Sequence, residues 1–71
     1  MNWTYTTISG RLTITEYQSG FEIEDHNTGK TLWVGDGVDA FDGVQVGTPE
    51  FYQQLRQDME AEEDIYLELI S

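Results

Sequence analysis

The 71 residues of this chain carry 14 acids against three cations, a formal net charge of −11, which rules out direct binding to nucleic acid or to an anionic membrane, since both demand basic contacts. Cysteine is absent, so neither a disulfide framework nor a thiolate metal site is available and the core must hold the fold unaided. A chain this short makes one domain, and its two Trp, four Tyr and three Phe give that domain an aromatic-rich interior.

The first half reads as antiparallel strands. Trp3 to Ile8 is β-branched and aromatic, Ser9-Gly10 marks a turn or a bulge, and Arg11 to Tyr17 returns with Leu12 and Ile14 on one face and Arg11, Thr13 and Thr15 on the other. Gln18-Ser19-Gly20 turns the chain into Phe21 to Asp25, where Phe21 and Ile23 point inward and Glu22 and Glu24 outward. Asn27-Thr28-Gly29 is the next turn. Lys30 to Val34 follows as a strand with Leu32 and Val34 opposing Thr31 and Trp33, completing a meander of three to four strands.

From Gly35 to Gly47 the chain is rich in glycine and aspartate and reads as a loop, with Phe41 anchoring it and a short strand around Val44 to Val46 as an option. Thr48-Pro49-Glu50 then starts a helix: threonine caps the free amides, proline suits the first position and glutamate complements the dipole. Phe51, Leu55 and Met59 line one face, joined by Tyr52. The end admits two readings. Ile65, Leu67 and Leu69 alternate with Tyr66 and Glu68 as in a strand, so a helix to about Glu62 followed by a short strand is expected; the alternative is a helix continuing almost to the end. The fold class expected is therefore α+β: an antiparallel meander of three to four strands with one C-terminal-half helix packed on it, with or without a final short strand.

Chemistry is sought among the acids. Asp58, Glu60, Glu62, Glu63 and Asp64 crowd seven positions; at a helix C-terminus they would oppose the dipole and one another at about 0.3–1 kcal/mol each. Glu22 and Glu24 stand about 6.7 Å apart on one strand face, with Glu16 extending the row. Asp36, Asp39 and Asp42 recur in the glycine-rich loop, but Val38 and Ala40 occupy the third and fifth positions counted from Asp36, where a calcium loop needs ligands. No metal or other cofactor is expected. His26, the single histidine, sits at a turn between Asp25 and Asn27, and no nucleophile elbow, phosphate loop or marked buried acid is present, so an enzyme is not expected.

What the sequence leads us to expect is an interaction protein. Glu22, Glu24, Asp36, Asp39, Asp42, Asp58, Glu60, Glu62, Glu63 and Asp64 would engage a basic protein surface, one built to hold nucleic acid, and act by nucleic-acid mimicry. Tyr52, Tyr66, Phe41 or Trp33 would supply apolar anchors where exposed. The alternative is an accessory or assembly subunit that binds through exposed aromatic and apolar residues. The lack of cysteine, and of the basic start and apolar run of a signal peptide, points to a cytoplasmic setting.

Overall fold

The computed structural model describes residues 3–18, 20–35 and 48–71. Strands β1 (Thr4–Thr6), β2 (Leu12–Tyr17), β3 (Gly20–Asp25) and β4 (Thr31–Gly35) form one antiparallel sheet in the order β1-β2-β3-β4. The meander follows from the two-residue period of its strands: Ile14 lies opposite Tyr5 on one side and Ile23 on the other, and Ile23 opposite Leu32, so one face gathers the apolar side chains. Slipping any pairing by one residue would exchange Ile23 for Glu22 or Glu24. Two of the turns need a left-handed residue and use glycine, Gly10 at φ 78° and Gly29 at φ 74°.

Helix α1 (Pro49–Ala61) starts as its sequence dictates, with Thr48 Oγ1 accepting from the Phe51 amide at 3.2 Å and Pro49 in the first turn. It lays Phe51, Leu55 and Met59 on the inner face of the sheet, where they join Leu12, Ile14, Phe21 and Ile23 in a core closed by Ile70. A fully buried side chain of this kind is worth about 1.5–3 kcal/mol relative to exposure, so these eight residues carry the fold. Tyr5, Trp3, Tyr52, Phe51 and Phe21 extend the core as a chain of ring contacts from the β1 edge, with centroids 4.9–6.3 Å apart. Arg56 lies over Trp3 at 5.7 Å from the ring centroid.

The tail is a second helix, α2 (Glu63–Ile70), and not a strand. Alternation would turn Ile65, Leu67 and Leu69 inward together, yet Ile65 is 55% and Leu69 63% exposed. Tyr66, Leu67 and Ile70, spaced as one helical face, are the residues that pack. The two helices are separated by Glu62 alone, which leaves helical geometry at φ −115°, ψ 20° while its amide still donates to the Asp58 carbonyl. From this joint α2 runs to β4.

Asp25 is the one buried acid among the described residues. Arg11 grips it with two parallel bonds, Nε to Oδ1 at 3.1 Å and Nη2 to Oδ2 at 3.2 Å, and the Asn27 amide donates to Oδ1 at 2.9 Å. The guanidinium holds this carboxyl below the usual carboxylate range.

Candidate functional site

The acids singled out by sequence do not form one patch. Glu22 and Glu24 lie on the outer face of the sheet, opposite Thr15 and Thr13 on β2 and Trp33 and Thr31 on β4. The helices pack on the other face, so the row formed by Glu22 and Glu24 and the acids of α1 and α2 look in different directions. Asp36, Asp39 and Asp42, with Phe41 and the short strand considered at Val44 to Val46, lie outside the described residues. Glu16 belongs to the inner face and accepts the Tyr52 hydroxyl on both oxygens at 2.9 Å, so it does not extend the outer row.

The crowded segment divides at the joint. Asp58 and Glu60 end α1, whereas Glu63 and Asp64 occupy the first turn of α2. There the dipole favours them. The electrostatic penalty expected for a run of acids at a helix C-terminus is thereby reversed for two of its members. Glu63, together with Glu60, has also turned inward to work on the fold. Glu60 Oε2 accepts the Tyr5 hydroxyl in a short hydrogen bond and the Ile8 amide at 2.8 Å. Glu63 Oε2 accepts the Ser9 hydroxyl at 2.7 Å, and the hydroxyls of Thr7 and Ser9 together lower its carboxyl below the ordinary range. These two carboxylates fasten the β1–β2 turn to the helix joint. Asp58 takes the Gln54 amide at 2.9 Å along its own helix.

That leaves Glu22, Glu24, Glu62 and Asp64 of the described candidates with carboxylates that accept no hydrogen bond from another described residue. Glu50 and Glu68 belong with them, though sequence reasoning passed them over; Glu68 follows Asp64 by one helical turn and shares its exposed face. Arg11 and Asp25 make the one ion pair among the described residues.

Exposed apolar residues accompany the acids. Ile65 and Leu69 form an open stripe on α2 beside Asp64 and Glu68, and Ile8 at the β1–β2 turn is 89% exposed. Tyr52 and Tyr66 are half-buried against the core and are poor anchors. Trp33 is 52% exposed on the outer sheet face and packs on Tyr17 at 5.9 Å between ring centroids.

An open groove of about 500 Å³ runs beside α1, lined by Tyr5, Arg56, Gln57, Glu60 and Ala61. Its one carboxylate is already committed to Tyr5 and Ile8. His26 bonds through Nε2 to Thr13 Oγ1 at 2.6 Å. Among the described residues no three His, Cys, Asp or Glu side chains gather as metal ligands, and no helix is long and apolar enough to cross a membrane. Set beside protein-family models, characterised proteins and solved structures, the chain matches none.

Proposed function

We propose that this protein is a small acidic inhibitor or regulator that engages the basic surface of a nucleic-acid-binding protein and competes there with nucleic acid. The observation that supports this reading is the uncompensated charge: Glu22, Glu24, Glu50, Glu62, Asp64 and Glu68 face water without an ion pair among the described residues. Self-repulsion on this scale opposes compaction, and a net charge magnitude of about 2 to 8 already keeps a small domain soluble. A basic partner removes that penalty. Carboxylates about 6.7 Å apart along a strand meet lysines and arginines placed for a polyanion whose charges recur every ~3.4 Å of axis per strand.

The test is capture from extracts of the source cells, followed by competition. The captured protein should bind nucleic acid, lose it when this chain is added, and release the chain steeply between about 50 and about 200 mM salt. A quadruple variant, Glu22→Gln, Glu24→Gln, Glu62→Gln and Asp64→Asn, should fold and fail to compete. Capture that ignores salt, or a variant that competes undiminished, overturns the reading.

A second reading is favoured by the exposed pair Ile65 and Leu69: an accessory subunit that seats this stripe on a partner. Contact of that kind responds little to salt and is lost in Leu69→Ser, which leaves every acid in place.

A further inference from the structure

The outer face of the sheet holds an aromatic residue fixed in place beside free carboxylates. Trp33 stands directly across from Glu22 on the neighbouring strand. The Asp25 amide donates to the Lys30 carbonyl, so hydrogen-bonded pairs alternate from there and Glu22–Trp33 is a non-hydrogen-bonded pair, the kind whose side chains stand closest. The indole does not project freely. A Cβ placed on Gly20 would come within 2.8 Å of Trp33 Cζ2, and one on Gly35 within 3.4 Å of its Nε1, so the ring lies along two strands over backbone that carries no side chain. Tyr17 closes one side of it. The rest is open, and half the residue's surface meets water.

Charge decides what fits. The register places Thr4, Thr6, Thr13, Thr15, Glu22 and Glu24 on this face with Tyr17, Thr31 and Trp33, none of them basic; at its far end from Trp33, His26 is bonded to Thr13 and Arg11 to Asp25, Lys30 lies in the β3–β4 turn, and Arg56 lies over Trp3. A plate of indole edged by a carboxylate is complementary to a guanidinium, which stacks through its plane and donates in a fork from its edge. An ammonium offers neither the plane nor the fork.

We infer that Trp33, with Tyr17 and Glu22, is the subsite where the partner inserts an arginine, and that the outer face of the sheet is the docking face. Glu24, one step further along β3, steers the same basic segment. This rests on the charge-directed function proposed above and assigns it a surface and a preferred side chain.

The probe is an acetylated hexapeptide with one arginine, compared with its lysine and citrulline counterparts by nuclear magnetic resonance titration of the intact chain. The arginine peptide should move the Trp33 indole and Tyr17 ring signals and bind severalfold tighter than the lysine peptide, while citrulline, which lacks the charge, should not saturate. Trp33→Leu and Glu22→Gln should each weaken the arginine peptide about two- to fivefold, and Gln53→Ala, on the exposed side of α1 and away from the outer sheet face, should bind it as the parent does. Equal affinity for arginine and lysine, shifts centred on α2, or an unaffected Trp33→Leu variant would each overturn the inference. Should the peptide fail at Trp33 while the chain still displaces nucleic acid from its captured partner, the subsite falls and the function stands; should the peptide bind at Trp33 without that displacement, the subsite stands and the competition with nucleic acid falls.

Discussion

Replacing Glu60 by alanine sets two physical readings of the acidic segment against each other with opposite signs. If that carboxylate is surplus charge at the end of α1, removing it relieves repulsion and the unfavourable dipole and stabilises the fold by about 0.3–1 kcal/mol. The structure says otherwise, because Glu60 Oε2 accepts both the Tyr5 hydroxyl and the Ile8 amide. Bonds to a charged acceptor contribute about 1.5–3 kcal/mol each in protected settings. Glu60 is half-buried, water replaces part of what is lost, and about 2 kcal/mol for the pair is a reasonable magnitude at the low end of that range. Subtracting the relieved repulsion leaves a net loss of about 1–2 kcal/mol, which lowers the melting temperature by roughly 5–15 °C in a domain of this size. Helix propensity favours alanine slightly, so a loss cannot come from there. Urea unfolding at neutral pH, with Tyr5→Phe and the double variant, closes the cycle; a coupling of about 0.5–1 kcal/mol is expected for a direct contact. A Glu60→Ala variant more stable than the parent, or a coupling of zero, would refute the assignment.

Glu68 makes the contrasting case: it lies in the last turn of α2 with no carboxylate partner among the described residues, so Glu68→Lys should raise stability by about 0.3–1 kcal/mol, read as a higher denaturation midpoint. The depressed carboxyls of Asp25, held by Arg11, and Glu63, held by Thr7 and Ser9, contribute stability that is present above the unfolded carboxylate range near pH 4 and lost as pH falls through their folded values. Melting temperature should therefore drop on acidification below about pH 4, and the Asp25→Asn, Glu63→Gln double variant should show a shallower drop; an equal slope would count against both. At the other extreme, the hydroxyls of Tyr5, Tyr52 and Tyr66 are all raised, Tyr5 first by its bond to Glu60 and the other two first by burial. Their contribution is complete below about pH 10 and is lost as pH rises through their folded values, which an alkaline unfolding curve of Tyr52→Phe against the parent would register. Gly20→Ala should cost about 1–3 kcal/mol, because its Cβ would fall 2.5 Å from the Val34 carbonyl oxygen and 2.8 Å from Trp33, and Trp33 fluorescence should change with it.

Much of the fold was legible because its signals are local. Phe21 to Asp25 alternates since each strand has one dry face, and Thr48-Pro49-Glu50 states the start of α1 in three residues. The end was not legible in that way. No glycine or proline marks the break at Glu62, and until the break is known the acids that follow it read as the losing end of one helix instead of the favoured start of the next. Acidic residues in a first turn are themselves a start signal, and Glu63-Asp64 carried it. The tasks of Glu60 and Glu63 were hidden for a different reason: their partners lie 52 to 55 residues away, beyond any periodic pattern. Trp33 was placed opposite Leu32 and Val34 by alternation alone, and its exposure follows from that. Its rigid seat depended on Gly20 in a separate strand, which only the sheet register reveals.

The order of elements has a consequence for synthesis. The four strands pair with their sequence neighbours, so the sheet can assemble from contacts that close early. Among the described residues, its apolar face, Leu12, Ile14, Phe21 and Ile23, is covered by buried side chains from Phe51 to Ile70, which are made after all four strands. A nascent chain halted before Thr48 therefore lacks the helices that cover the apolar face of the sheet, and it lacks Glu60 and Glu63, the carboxylate clasps on Ile8 and Ser9. Closure of the core thus waits on α1 and α2, and a chain interrupted before them exposes the apolar face that they hide.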